Sequence, residues 1–188
     1  MTELLLVRHG RTEWNALGRL QGREDIPLDD VGAAQAATAA CGLAREHWDA
    51  VVSSPLVRAS RTAEVIAQAC ALPPPGTDAD LVERDYGQAS GMFDHEIIAR
   101  WPDWVVPGRE TGDELYERGT RALDRIAAAY PDGRVIVVSH GGLIRTVVMG
   151  IESAPESSRG SIANLGATLL RDDGDRHWSV FYYNRAVN

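Results

Sequence analysis

The chain has 188 residues, the size of a single domain, and carries 19 basic against 27 acidic side chains, for a net charge of −8. That balance argues against nucleic acid or an anionic membrane as the main partner, although a local group of arginines could still bind a small phosphorylated molecule. Every basic residue is arginine. The absence of lysine excludes a Walker-type phosphate loop and a Schiff-base mechanism.

The cysteines and the apolar runs indicate the compartment. Cys41 and Cys70 lie in apolar, helical stretches without the spacing of a zinc site, so we expect buried free thiols, no metal and no other cofactor. No apolar run approaches the roughly 18 residues that span a bilayer, and the chain opens on a strand pattern rather than a signal peptide. We therefore expect a cytoplasmic protein without a membrane partner.

The first half of the chain alternates short apolar runs with helical patterns. Leu4–Val7 is continuously apolar, as is typical of a strand buried on both faces, and a polar loop follows over residues 11–27. Asp29 suits the N-cap of a helix, and Pro55 suits the first turn of another. The predicted elements are a strand over 4–7, a helix over 29–45, a strand over 51–52 and a helix over 55–70.

The second half continues the alternation after an irregular stretch. Residues 92–112 show no clear period and hold Phe93, Trp101 and Trp104, which predicts a small cap region. Those aromatic side chains either pack in a core or face a substrate. The predicted elements that follow are a helix over 113–130, a strand over 135–138, a helix over 143–150, and strands over 167–170 and 178–183.

This alternation predicts an α/β fold, a three-layer α/β/α sandwich whose central sheet is mostly parallel with an antiparallel edge strand. The sequence contains no repeat and no low-complexity tract. We therefore expect residues 1–188 to form one domain, with the cap region over about 92–112 as its small addition.

Two of the predicted strands end in the same dipeptide. Val7-Arg8-His9-Gly10 closes the first strand, and Val138-Ser139-His140-Gly141 closes the strand at 135–138. Ligands of open α/β sheets bind beyond the carboxyl ends of the strands, so parallel strands would bring both imidazoles to one edge. Glycine after each histidine lets the backbone approach a ligand closely. One such histidine would most simply end a strand; two with arginines nearby favour a site.

These residues also carry a resemblance to a known family. The segment Arg8-His9-Gly10-Arg11-Thr12-Glu13-Trp14-Asn15 resembles the signature of the histidine phosphatase superfamily, the phosphoglycerate mutase-like proteins. Further blocks follow in the family's order and span nearly the whole chain: Arg19-Leu20-Gln21-Gly22, Pro27-Leu28, Ser53-Ser54-Pro55-Leu56-Val57-Arg58-Ala59, Thr62-Ala63, Glu83, Tyr86-Gly87 and Ser139-His140-Gly141-Gly142. A lone Arg-His-Gly would be weak, whereas this ordered set is specific.

The resemblance implies a role for each matching residue. His9 would be the nucleophile that accepts the phosphoryl group, and a neutral imidazole with one nitrogen free is what such attack requires. Arg8 and Arg58 would clamp the phosphate through their planar forks. His140 would contact the phosphate from the second strand, and Glu83 would exchange protons with the leaving group and with water.

Weaker candidates surround this set. Asn15, Gln21 and Gly22 would lie in the loop that covers the phosphate, and Gly141 beside it. Asp85 competes with Glu83 on residue type alone, while Arg11 and Arg61 have surface roles as their simplest interpretation. Asp78 and Asp80 resemble a metal-binding pair, but no further carboxylates support it, so a solvated loop is favoured.

Three functions stay open. A phosphatase is favoured over a cofactor-dependent phosphoglycerate mutase because only about 56 residues separate Glu83 from His140, whereas a mutase needs additional chain to shield its phosphoenzyme from water. The segment Gln88-Ala89-Ser90-Gly91 differs from the sequence motif of many small phosphatases in the family. The mutase therefore stays open as the alternative. A non-catalytic phospholigand-binding module is the third. A small phosphorylated metabolite is the expected partner, and a homodimer stays open as the oligomeric state.

Overall fold

The structure is a computed structural model that describes residues 1–151, 154, 160–172, 174 and 177–187. Its strands are β1 (Thr2–Arg8), β2 (Ala50–Ser53), β3 (Gly76–Thr77), β4 (Arg134–Ser139), β5 (Gly166–Asp172) and β6 (Trp178–Ala186). Its α-helices are α1 (Glu13–Leu17), α2 (Asp30–Leu43), α3 (Val57–Ala69), α4 (Asp94–Arg100), α5 (Gly112–Ala129) and α6 (Gly141–Met149).

The six strands form one sheet in the order β3-β2-β4-β1-β5-β6. Strands β1, β2, β3 and β4 pair in parallel, whereas β5 pairs antiparallel with both β1 and β6. The prediction of a mostly parallel sheet with antiparallel pairing toward one edge is confirmed. Strand β4 lies beside β1 with Arg8 opposite Ser139, so the two His-Gly turns leave the sheet as neighbours.

Alternate side chains of the central strands feed two separate cores. Leu4 and Leu6 pack with α5 and α6 on one face, and Leu5 and Val7 pack with α2 and α3 on the other. All four side chains are essentially inaccessible to solvent, as expected of a strand covered on both faces. The three-layer α/β/α sandwich predicted from the sequence is therefore confirmed.

Two short helices lie where the sequence shows no helical period. Helix α1 occupies part of the polar loop and begins at a capping box in which Thr12 and Asn15 each accept the other's backbone N–H. Helix α4 lies inside the irregular 92–112 stretch, where Glu96 accepts the N–H of Phe93 at 2.8 Å. Both helices are of seven residues or fewer and are set by their caps, so a pattern of apolar residues does not reveal them.

The cap region builds a third, smaller apolar cluster. Ala89, Ile97 and Val106 are buried in it, and Trp101 and Trp104 pack against it, which favours the packing interpretation of these tryptophans. The cysteine expectation needs correction. Cys41 is exposed, because α2 buries the opposite face through residues such as Ala40 and Leu43, and Cys70 is only half-buried.

No helix in the described ranges is both long enough and apolar enough to cross a membrane.

Candidate active site

His9 follows the last residue of β1 and is 3% exposed. Its backbone N–H donates to the carbonyl of Ser139 at 3.0 Å, so the β1–β4 ladder extends to this residue. In the ring, Nδ1 lies 2.7 Å from the carbonyl oxygen of Gly10, which can only accept, and this places the proton of a neutral ring on Nδ1. The Nε2 nitrogen then keeps its lone pair and accepts from Nε of Arg58 at 3.2 Å.

The surroundings of His9 keep it unprotonated. Burial, together with the positive charges of Arg58 and Arg8, holds the pKa of His9 well below its usual value. A neutral imidazole with Nε2 unprotonated is the form that can attack phosphorus. The carbonyl of Gly10 also fixes the ring's orientation, and the hydroxyl of Thr62 in α3 holds that turn by accepting the Gly10 N–H at 3.1 Å.

Two arginines lie against the nucleophile. Arg58 is fully buried in the first turn of α3, and burial lowers its pKa to about 10, which leaves it charged at neutral pH. Its guanidinium donates to His9 and to the carbonyls of Glu24 and Gly22. Three of its five N–H groups are used in these contacts, so two can still reach a phosphate oxygen. Arg8 donates from Nη1 to the carbonyl of Ile162, and its buried Nε has no hydrogen-bond partner among the described residues.

His140 caps α6 and is completely buried, with its ring centroid 5.2 Å from that of His9. Burial and the charge of Arg58 hold its pKa well below the usual value, so this ring is also neutral. Its Nε2 pairs with the hydroxyl of Ser54 at 2.8 Å, whereas Nδ1 finds no partner in the part of the chain that the structure covers. A buried nitrogen left open beside the nucleophile suits a contact to a bound oxyanion.

Glu83 lines the same cleft as His9 and lies on the segment that follows the 3-10 turn Ala79–Leu81. Its carboxylate receives three backbone N–H groups: Oε1 from Arg84 at 2.8 Å and from Leu143 at 3.0 Å, and Oε2 from Gly142 at 2.9 Å. Two of these come from the first turn of α6, where the helix end favours negative charge. Gly142 has no side chain to obstruct the approach.

These residues surround a cleft of about 420 Å³ at the carboxyl ends of β1 and β4. Eight of the nine predicted site residues line it: Arg8, His9, Asn15, Gln21, Gly22, Arg58, Glu83 and Gly141. His140 is not among the lining residues of the described chain, because its side chain is completely buried beside His9. Gln21 is 7% exposed, and its buried Oε1 has no partner in the described ranges, so it is another open polar atom at the site.

The structure adds cleft residues for which the sequence analysis assigned no role. The additional lining residues are Arg19, Leu20, Tyr86, Asp94, Gly142, Arg145, Ser161 and Ile162. The spacing of Gly141, Gly142 and Arg145 on one face of α6 could have identified Arg145, because residues three or four apart share a helix face. Asp94 begins α4, a helix that the sequence pattern did not predict, and Arg19 lies in a block that the resemblance includes without a role for it.

Three competing candidates, Arg61, Arg11 and Asp85, are not among the lining residues of the described cleft. Arg61 is exposed and pairs with Glu64, and Arg11 pairs with Asp29 at 2.8 Å. Asp85 accepts the N–H of Gly87 and does not line the cleft in the described structure.

Asp78 and Asp80 both pair with Arg125 at 2.8 Å. No group of three or more potential metal ligands occurs within the described residues.

Comparison with known proteins gives a consistent result. The sequence model of the histidine phosphatase superfamily (branch 1) matches residues 4–185. An uncharacterized phosphatase, PhoE, of Bacillus subtilis is 38% identical over 185 residues, which cover 98% of this chain and 95% of the relative. A metal-independent phosphoserine phosphatase of Arabidopsis thaliana is also 38% identical, over 92% of this chain and 78% of the relative.

Solved structures agree. A mycobacterial glucosyl-3-phosphoglycerate phosphatase complexed with VO3 superposes with a TM-score of 0.88 at 27% identity, covering 98% of this chain and 99% of that one. The curated relatives also include a 2,3-bisphosphoglycerate-dependent phosphoglycerate mutase of Methylobacterium radiotolerans, 33% identical over 82% of this chain and 81% of the mutase.

Proposed function

The chain belongs to the histidine phosphatase superfamily and is a phosphatase, and from that premise we propose that it hydrolyses small phosphomonoesters through a phosphohistidine on His9. The observation that carries this proposal is the state of His9: a buried, neutral ring with its proton directed at Gly10 and its Nε2 at Arg58, in a cleft lined by arginines.

In the first step Nε2 of His9 attacks phosphorus and the bond from phosphorus to the ester oxygen breaks. The ring gains positive charge as the N–P bond forms, and the Gly10 carbonyl stabilises that charge by accepting from Nδ1–H. Arg8 and Arg58 stabilise the negative charge on the phosphoryl oxygens. His140 donates a hydrogen bond from Nδ1 to one of these oxygens. Glu83 acts as the general acid and gives a proton to the leaving oxygen.

In the second step water attacks the phosphorus of phosphohistidine, and Glu83, now a carboxylate, takes a proton from it. The N–P bond breaks, phosphate leaves, and His9 returns to its neutral form. The backbone N–H groups of Gly142 and Leu143 bind the Glu83 oxygens, which supports one carboxyl group serving both steps.

The part of the substrate that is esterified to the phosphate should be polar. The cleft wall also carries Arg19, Asp94 and Arg145, which suit charged or hydroxylated groups rather than an apolar chain. The relatives are named for phosphoserine and glucosyl-3-phosphoglycerate, both small phosphorylated metabolites with such groups. A substrate of this class, free in the cytoplasm, is part of the proposal.

The test is turnover of p-nitrophenyl phosphate without added metal, followed by a screen of phosphorylated metabolites. His9→Ala should abolish turnover while the thermal unfolding temperature changes little, and quenched enzyme should carry acid-labile, base-stable phosphate. Retained turnover in His9→Ala would refute the nucleophile. Dependence on a bisphosphoglycerate primer, with isomerisation outrunning phosphate release, would replace the phosphatase by a mutase. Phosphate binding without any turnover would leave only a binding module.

A further inference from the structure

A buried ion pair lies behind Glu83, outside the cleft. Arg118 on α5 and Glu110, just before that helix, have side chains that are 8% and 9% exposed. The guanidinium binds the carboxylate with two hydrogen bonds, Nε to Oε1 at 2.6 Å and Nη2 to Oε2 at 3.0 Å. Glu110 also accepts the backbone N–H of Asp85 at 3.1 Å.

Arg118 directs its remaining donors at the segment that carries the proposed acid. Nη1 donates to the carbonyls of Asp80 at 2.6 Å and Val82 at 2.7 Å, and Nη2 donates to the carbonyl of Glu83 at 3.0 Å. With the two bonds to Glu110, all five N–H groups of the guanidinium have an acceptor. Since Asp85 is held by Glu110, the pair contacts the backbone on both sides of Glu83.

These contacts hold a segment around Glu83 that has little regular structure of its own. After the 3-10 turn ends at Leu81, residues 82–86 belong to no helix and no strand. A lysine at position 118 would supply charge but could not reach five acceptors in the same plane. One planar group on a packed helix therefore contacts the backbone at Asp80, Val82 and Glu83 together.

We propose that Arg118, held in place by Glu110, is the positioning residue that places the Glu83 carboxyl at the leaving oxygen. The inference rests on the proposed function, because it requires Glu83 to be the acid. Arg118 touches no substrate and acts through the backbone of Asp80, Val82 and Glu83.

The test compares two esters that differ in their need for an acid. The p-nitrophenolate ion leaves without a proton, whereas the alkoxide of glycerol 2-phosphate requires one. The value of kcat/KM reports the steps up to phosphorylation of His9, where the leaving oxygen departs. The variants are Glu83→Gln, Arg118→Met and, as a matched control on the same helix, Arg125→Met, whose exposed arginine binds the carboxylates of Asp78 and Asp80.

For Arg118→Met we expect kcat/KM to fall by roughly 10- to 100-fold with glycerol 2-phosphate and less than about threefold with p-nitrophenyl phosphate, a pattern that global loosening would not produce. Glu83→Gln should show the same selectivity more strongly, and Arg125→Met none. If Arg118→Met does not fold because Glu110 is left unpaired, the double variant Arg118→Met/Glu110→Gln removes both charges and serves in its place.

The outcomes separate the two claims. If Glu83→Gln slows both esters equally, Glu83 is not the acid and the proposed mechanism fails, together with this inference. In a second outcome, Glu83→Gln slows glycerol 2-phosphate selectively while the Arg118 variants slow both esters equally or slow neither. That result would refute the positioning role of Arg118 but leave Glu83 as the acid.

Discussion

Gly142 is the second residue of α6 and lies directly against the Glu83 carboxylate. A Cβ at this position would be 2.5 Å from Oε1 of Glu83 and 3.0 Å from the hydroxyl of Tyr86, whereas ordinary contact begins at 3.4 Å. In Gly142→Ala the carboxyl must therefore retreat by about 0.9 Å and lose part of its N–H contacts. A displacement of about 1 Å at a reacting group costs about 100-fold in rate, or about 2.7 kcal/mol of barrier.

The fold should survive this change, because alanine stabilises a helix by up to about 1 kcal/mol relative to glycine. The assay is kcat/KM with glycerol 2-phosphate, alongside thermal unfolding. Gly141→Ala is the comparison, since its Cβ would meet Nε of Arg8 at 3.4 Å, an ordinary contact, and we expect only a few-fold loss. If Gly142→Ala turns over the alkyl ester as fast as the parent enzyme, the position of the Glu83 carboxyl does not limit the reaction.

Three further predictions concern stability. Burial and the nearby arginines hold the pKa values of His9 and His140 well below their usual 6.5, so below that pH the unfolded chain binds more protons than the folded one. The free energy of unfolding measured in urea should then fall as the pH drops below about 6.5. Above that pH these two histidines should add no pH dependence. A free energy of unfolding that stays constant between about pH 5 and 7 would contradict this prediction. Ser54→Ala removes the hydroxyl 2.8 Å from Nε2 of His140 and should cost about 1–3 kcal/mol in urea denaturation, whereas an unchanged midpoint would show that water replaces the contact. Gly32→Ala would place a Cβ 2.0 Å from the carbonyl oxygen of Arg11, and we expect a loss of about 1–3 kcal/mol, measured by thermal unfolding; a variant as stable as the parent would mean that the loop moves freely.

The sheet and the position of the nucleophile could be predicted because they depend on local patterns. An apolar run that ends in His-Gly identifies both a buried strand and the residue at its carboxyl end, and the parallel pairing of β1 with β4 then follows from the alternation with helices. The resemblance supplied Arg58 and Glu83, which no period in the sequence marks.

What could not be predicted depends on contacts between distant residues. The hydrogen bonds from Gly142 and Leu143 to Glu83 join positions about 60 residues apart, and the pairing of Ser54 with His140 joins positions further apart still. The burial of the His140 ring 5.2 Å from that of His9 depends on side-chain packing that a pattern of residue types does not contain. Cys41 was misjudged because α2 is rich in alanine, so its apolar composition does not show which face is buried.

The strand order has a consequence for how the enzyme acquires activity. Strand β4 lies between β2 and β1 although it comes after both in the chain, and its pairing with β1 joins Leu4 to Val135. The amino-terminal half of the chain can therefore collapse early through β1, α2, β2 and α3. The position between β2 and β1 in the sheet stays empty until β4 is added. Contacts between such distant residues form slowly, because closing a long loop costs entropy before the contact stabilises it. A folding intermediate with all of its early helices in place would still lack a phosphate site until β4 enters this position and brings His140 beside His9.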